Sequence, residues 1–477
     1  MKSRSATIAH YATVSGGAYP PWPMREVRIH DTLSGELRAL DPRDPPRVGI
    51  YLCGPTVYAR IHVGNARGYI VFSLLKRFLE HEGYEATLVD NITDVNDKIY
   101  DAGRERGVPS AELAREMTAA YVADTDGLGL GRPDHEPKAT ETIGPIVALI
   151  ETLIEGGHAY EAGGDVLFRV GSFEGYGKLS NRPLEGMQQG EGDDAAQHKE
   201  APQDFALWKA RKEGEDTAWD SPWGEGRPGW HIECSAMAER ILGIDFEIHG
   251  GGSDLVFPHH ENEIAQTEAA RGKPLARLWM HNGMVEMDSE KMAKSVGNTR
   301  LLHGALEEFG RDAFVMWMVG SHYRKPVSYT EETMEDATRA VARLREVARR
   351  LDPDAPPAAE LDALAEHFFD RLADDFNTPA ARGVLFDWVA EANRRLDDGE
   401  RLGAGRLREM LHALGLETVL DRADEEAPDE IERLAADREA ARAARDFEQA
   451  DRLRDEIAER GWEVRDTAAG ARLVRRA

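Results

Sequence analysis

The sequence predicts an α/β protein built on a doubly wound parallel sheet, with an inserted subdomain, an α-helical bundle after it and a small C-terminal domain. Three observations lead there. Between Val48 and Val89 the chain runs strand, glycine-containing turn, amphipathic helix, strand, the pattern of a βαβ unit whose ligands bind beyond the carboxyl ends of the strands. From about Ile143 this pattern gives way to a smaller mixed segment that ends near Trp230. Beyond Pro326 the hydrophobic period is almost wholly helical.

Taken in order, residues 1–23 carry Ser3, Ser5, Ser15, Gly16, Gly17, Pro20 and Pro21 with no periodic apolar pattern. A flexible, dispensable extension is expected there, with Met24 as the alternative translation start. It has no apolar core of a secretory signal, so a cytoplasmic address is expected. Val27 to Ile29 and Val48 to Leu52 read as strands, the second stopped by Cys53-Gly54-Pro55. Ile70, Val71, Leu74, Leu75, Phe78 and Leu79 mark one side of a helix that Gly83 closes, and Ala86 to Val89 is the next strand. This Rossmann-like unit is assigned residues 24–142 and 221–300, interrupted by an insert at 143–220. The insert holds a helix (Ile146 to Ile154), a strand near Val166 to Val170 and an acidic stretch, Gln188 to Pro202, expected to be a mobile surface loop. Trp219 to Trp230 leads back to the sheet. A helical bundle is assigned to 337–423, with Leu344, Val347 and Leu351 inside. A linker, Asp424 to Glu430, precedes a helical tail with Ile431, Leu434, Phe447 and Ile457. There is no internal repeat.

At 477 residues, 41% of them hydrophobic, the chain can bury a large core. No apolar run approaches the roughly 18 residues that suggest a membrane span, so no membrane partner is expected. The 87 acidic against 59 basic side chains give a net charge of −28. That balance disfavours nucleic acid unless a local basic path exists, and a salty habitat explains it equally well. With only Cys53 and Cys234, a disulfide scaffold is excluded.

Three constellations carry chemistry. His259 and Glu263 are four apart on a helix expected after Phe257-Pro258, so they share a face. With Cys53 at a strand end and Cys234 they make a reasonable zinc set, although on spacing alone a core histidine, a solvated glutamate and two inert thiols account for them as well. His62-Val63-Gly64-Asn65 stands between strand and helix, where N–H groups and the helix dipole favour phosphate. An ordinary βα turn is the alternative. Lys291-Met292-Ala293-Lys294-Ser295, with Gly297, suits a loop that neutralises a leaving pyrophosphate, or a solvated basic turn.

Together these strings resemble a known family. The second and third are similar to the HIGH and KMSKS signatures of class I aminoacyl-tRNA synthetases. Longer strings resemble the cysteinyl branch: Tyr51 to Tyr58, Asn91 to Lys98, Gly226 to Cys234, His249 to Asp254, Phe257 to Gln266 and Asp374-Asp375-Phe376-Asn377-Thr378-Pro379. The resemblance runs from about Met24 to the carboxyl end. It implies one zinc held by Cys53, Cys234, His259 and Glu263, and ATP with Mg²⁺ handled by His62, Asn65, His249, Lys291 and Lys294. It also implies an amino-acid pocket bordered by Gly54, Thr93, Trp230 and Asp254. Catalysis would fall to His62, Asn65, Lys291 and Lys294. Asn65 stands where the general signature has a second histidine, as is common in this branch, and Ala293 replaces a serine. By the same resemblance 301–336, just after the lysine loop, contacts the tRNA stem. Residues 430–477 meet the anticodon, with Arg472, Arg475 and Arg476 beside Trp462 as a stacking surface. The implied partners are cysteine tRNA, ATP and L-cysteine, and the implied state a monomer.

Chemistry fits this reading. An enzyme for cysteine must reject serine, and packing separates so similar a pair by only ~1–3 kcal/mol. A metal lowers the thiol pKa and prefers soft sulfur to a neutral hydroxyl. Two other readings share these residues: a ligase joining cysteine to an amino-sugar, and an inactive tRNA-binding homologue. The first is disfavoured by the Glu263 position and the long tail after Asp424, the second by the presence of every expected ligand and lysine.

Overall fold

The computed structural model describes residues 25–183, 198–287, 290–291, 299–352, 355, 358–420, 427–444, 446–460, 462–467 and 470–475. The extension 1–23, most of the acidic stretch at 188–202, residues 292–297 with Lys294, part of the linker, and Arg476 lie outside these.

Strands β1 (Arg28–Asp31) and β2 (Glu36–Ala39) form an antiparallel hairpin. Then β3 (Arg47–Leu52), α1 (Val63–His81) and β4 (Glu85–Asp90) make the βαβ unit, with β3 and β4 parallel from Arg47↔Glu85 to Leu52↔Asp90. Helix α1 forms because Val63, Ala66, Tyr69, Ile70, Phe72, Leu74, Leu75, Phe78 and Leu79 bury one side of it. It ends where Gly83 takes φ +89°, a conformation open to glycine at no steric cost. Helices α2 (Asp97–Arg106) and α3 (Ser110–Asp126) follow.

The insert starts with α4 (Ile143–Glu155) and continues as β5 (Ala159–Ala162), β6 (Asp165–Phe168), β7 (Phe205–Ala210) and β8 (Gly226–Pro228), one antiparallel sheet in that order. It has its own core of Ile146, Ile150, Phe168, Phe205 and Trp208. The chain leaves it through α5 (Trp230–Leu242) and adds β9 (Phe246–Gly252), α6 (Glu261–Arg271) and β10 (Ala276–Asn282) to the main sheet. Its order is β10-β9-β3-β4, parallel throughout. The winding reverses between β3 and β9. Their carboxyl ends, Leu52 and Gly252, therefore open the crevice in which a sheet of this kind binds ligands.

A small sheet, β11 (Val285–Met287), β12 (Glu290–Lys291) and β13 (Val327–Ser328), encloses α7 (Leu302–Phe309) and α8 (Arg311–Met318) in sequence. The bundle comprises α9 (Glu331–Arg350), α10 (Ala359–Ala373), α11 (Thr378–Asp397) and α12 (Gly405–Ala413). Its core, including Leu344, Phe368, Leu385 and Trp388, is continuous with the α1 face of the sheet. The tail is α13 (Asp429–Ala443), α14 (Phe447–Glu459) and a hairpin of β14 (Trp462–Thr467) with β15 (Gly470–Arg475). Here one expectation fails: Trp462 is not a stacking surface. It is buried with Ile431, Ala435 and Ile457, because so small a unit needs its largest side chain for a core.

Candidate active site

Four elements of the switch point bring together the residues of the first constellation. Cys53 directly follows β3, Cys234 lies on α5, and Glu263 lies in the first turn of α6. His259 stands in a wide turn, Val256–His260, just ahead of α6. The helical path into α6 begins after Phe257, whose extended backbone (φ −140°, ψ 131°) marks the break, so His259 and Glu263 share a face as the spacing predicts. His259 Nε2 lies 3.1 Å from Glu263 Oε1. Cys53 Sγ lies 3.4 Å from the same oxygen. Donor atoms of Cys53, Cys234, His259 and Glu263 all fall within 4.8 Å of one another. Two thiols, one imidazole and one carboxylate at that separation match the donor chemistry and number of a tetrahedral zinc site.

A second layer orients these donors. His249 Nε2 lies 2.8 Å from Glu263 Oε2, which leaves Oε1 to face Cys53 and His259. His231 Nδ1 lies 2.9 Å from His259 Nδ1, so the ring presents Nε2 to the cluster. His260 Nδ1 meets His281 Nε2 at 2.7 Å, and His281 Nδ1 meets Thr32 Oγ1 at 2.7 Å. Burial pushes both His231 and His259 down to about 3, so each is neutral, the form of imidazole that ligates metal. Burial, then Cys234 and Glu263, push the Cys53 thiol well up. A cation would reverse that, since ligation favours thiolate.

The nucleotide-like motif is a helix cap. Gly64 N–H donates to His62 Nδ1 (3.1 Å) and His62 N–H donates to Asn65 Oδ1 (3.2 Å), a reciprocal box at the start of α1. With Nδ1 accepting, the ring proton sits on Nε2, the nitrogen suited to donate to a phosphate oxygen. The chain on either side of 292–298 comes close to this cap. Val63 N–H donates to Arg300 O (2.9 Å) and Leu302 N–H to Ile61 O (3.1 Å), while Lys291 is paired on β12 with Glu286 of β11. Lys294 itself lies outside the described residues.

The expected pocket residues are spread along the crevice. Gly54 has no room for a side chain, because a Cβ would lie 1.8 Å from Asn91 O. Its N–H donates to Asn91 Oδ1 (3.0 Å), and Asn91 Nδ2 donates to Thr93 Oγ1 (3.4 Å). Trp230 is half-buried and stacks near His259, ring centroids 4.3 Å apart. Asp254 is exposed just beyond β9. His249, expected at ATP, is wholly buried against Glu263 and against the Trp279 ring (4.4 Å).

Comparison with known proteins now decides the family. The description "tRNA synthetases class I (C) catalytic domain" matches residues 39–339, and "DALR domain" matches 367–418. A cysteine–tRNA ligase of Halorhodospira halophila is 47% identical over 461 residues, covering 94% of this chain and 99% of that protein. The chain belongs to the cysteine–tRNA ligase family. A second family member, from Geobacillus thermodenitrificans, is 42% identical over 95% of this chain and 100% of its own length. In fold, a Mycobacterium tuberculosis methionyl-tRNA synthetase in complex with methionyl-adenylate aligns with TM-score 0.58 at 16% identity, covering 78% of this chain and 89% of that one.

Sequence reasoning missed Asn91, His231, His260 and His281. Asn91, His231 and His260 stand in the strings that carry the family resemblance and His281 does not, and nothing local says that segments far apart in sequence bring them to one edge.

Proposed function

We propose that this family member activates L-cysteine with ATP to cysteinyl-adenylate and transfers it to the 3′ end of cysteine tRNA, selecting the substrate through a zinc held by Cys53, Cys234, His259 and Glu263. The observation that carries the zinc reading is the meeting of those donor atoms within 4.8 Å at the sheet's switch point. When bound, zinc supplies a Lewis acid that binds sulfur as thiolate and discriminates against a hydroxyl.

The chain's own residues do the rest. His249 fixes the Glu263 carboxylate and His231 fixes the His259 ring, so the donors are set before substrate arrives. Gly54, Thr93, Trp230 and Asp254 border the amino acid. The cysteine carboxylate attacks the ATP α-phosphorus and pyrophosphate leaves; a terminal ribose hydroxyl of the tRNA then attacks the carbonyl carbon of the adenylate, breaking the mixed anhydride and releasing AMP. His62, as an Nε2–H donor at a helix N-terminus, and Asn65, which holds its cap, receive the phosphates. Lys291 and Lys294 neutralise the leaving pyrophosphate beside Mg²⁺. Residues 24–142 and 221–300 form the catalytic domain, except that β8 (Gly226–Pro228) completes the sheet of the insert at 143–220; 301–336 is the stem contact, 337–423 the bundle and 430–477 the anticodon region. Among the described residues no helix is long and apolar enough to cross a membrane; we assign a monomer working in the cytoplasm.

The test is cysteine tRNA charging by purified protein with its metal measured. Charging with about one zinc per chain supports the reading; charging by fully metal-free protein refutes its zinc part.

A further inference from the structure

The string Asp374 to Pro379 takes no part in the chemistry above, yet it holds an unusual backbone. Asp375 and Phe376 have φ +62° and +45°; aspartate enters this left-handed region readily, but for a phenylalanine it costs roughly 1–2 kcal/mol. Such strain persists only where the surroundings fix it. Phe376 is buried with Phe78 of α1, ring centroids 6.1 Å apart. The Asp375 carboxylate is buried and crowded with donors. Oδ1 accepts from His30 N–H (2.9 Å) and Tyr323 OH (2.7 Å), and Oδ2 accepts from Arg324 Nε–H (2.9 Å) with His322 Nε2 at 3.5 Å. The turn of the bundle thus grips one side of the loop 322–325.

Arg67 grips the other side. It lies on α1 one turn from the His62 cap and is only 1% exposed. Its guanidinium donates to main-chain carbonyls: Nη1 to Met284 O (2.8 Å), and Nη2 to Lys325 O (2.5 Å), His322 O (3.2 Å) and Tyr323 O (3.3 Å). A buried guanidinium held by carbonyls is a costly way to fill space, and what it secures is a junction. Gly283 N–H donates to Tyr323 O (2.7 Å), Val327 N–H to Met284 O (3.0 Å) and Tyr329 N–H to Glu286 O (2.8 Å). A Cβ on Gly283 would lie 2.4 Å from Lys325 O, so the two segments touch main chain to main chain. Strand β11 leaves this junction and pairs with β12 at Glu286↔Lys291.

We propose that Asp375 and Arg67 are positioning residues for the nucleotide half of the site: they clamp the loop 322–325 between the bundle and α1, and the loop fixes β11, the strand that sets Lys291. This rests on the reading that Lys291 acts at the ATP phosphates. Displacement of a positioned group by about 1 Å can cost up to 10²-fold in rate, with no loss at the cysteine end.

The test measures ATP–pyrophosphate exchange and zinc content for Asp375→Asn, Tyr323→Phe, Lys291→Ala and the double variant Asp375→Asn/Lys291→Ala, below each melting temperature. Asp375→Asn is expected to lower kcat about tenfold or more, with zinc content and the KM for cysteine unchanged. Tyr323→Phe, which removes one hydroxyl and keeps the ring, should give a smaller loss of the same kind. If Asp375 acts through Lys291, the double variant should be no slower than Lys291→Ala alone. A lowered melting temperature with unchanged kcat in both Asp375→Asn and Tyr323→Phe would overturn the proposal, as would fully multiplicative losses in the double variant. An unchanged rate in Lys291→Ala would instead remove the reading of Lys291, and this inference with it.

Discussion

The two halves of the crevice are built in different ways. The half proposed to bind cysteine is made of buried side chains, Cys234, His249, His259 and Glu263, with His249 set against Glu263 and His259 against His231. The half proposed to bind ATP is partly exposed and made largely of main chain: a capped helix N-terminus at His62 and a strand junction held through carbonyl groups. The difference follows the task. Discriminating sulfur from oxygen requires fixed donors in a dry place, whereas phosphate charge is met by N–H dipoles and cationic side chains. Damage to the halves should therefore separate. Cysteine-half variants should lose metal, and nucleotide-half variants should lose rate.

The largest effect is expected at Cys234→Ser, which should lose bound zinc and cysteine activation together; metal retention at full activity would erase the distinction. Next, His62→Ala should lower kcat for pyrophosphate exchange by about 10²–10³-fold with zinc content untouched. Its lost cap costs a further ~1 kcal/mol of stability, readable by thermal melting. A smaller effect is expected at His249→Ala, where loss of the Glu263 partner should weaken zinc about 10–100-fold, measured by competition with a chelator. Unaltered zinc affinity would mean that His249 does not hold Glu263 for the metal. The smallest effect on either half belongs to truncation after Glu425. Exchange should stay near wild type, while tRNA charging falls and loses part of its salt dependence; unchanged charging would make the tail purely structural.

Much of this was legible in the sequence, and the gaps have physical causes. The βαβ unit could be read because α1 and β4 obey their periods without interruption. The cluster Cys53, Cys234, His259 and Glu263 required the family resemblance, since spacing alone left inert alternatives open. The shared face of His259 and Glu263 could be read from their four-residue spacing, because the only break in the helical path, at Phe257, comes before both. The contact of His249 with Glu263 could not be read from the sequence, because the fold rather than sequence proximity brings the two together. Trp462 was read as exposed for want of any local sign that α13 and α14 would cover it.

How the enzyme treats serine tests selection by metal most directly. Packing alone yields roughly 10–200-fold for so close an analogue. ATP–pyrophosphate exchange by the zinc-loaded protein, run with cysteine and with serine, should show a preference in kcat/KM for cysteine well above that range. A preference within it, or efficient exchange with serine, would contradict selection of the thiolate by metal.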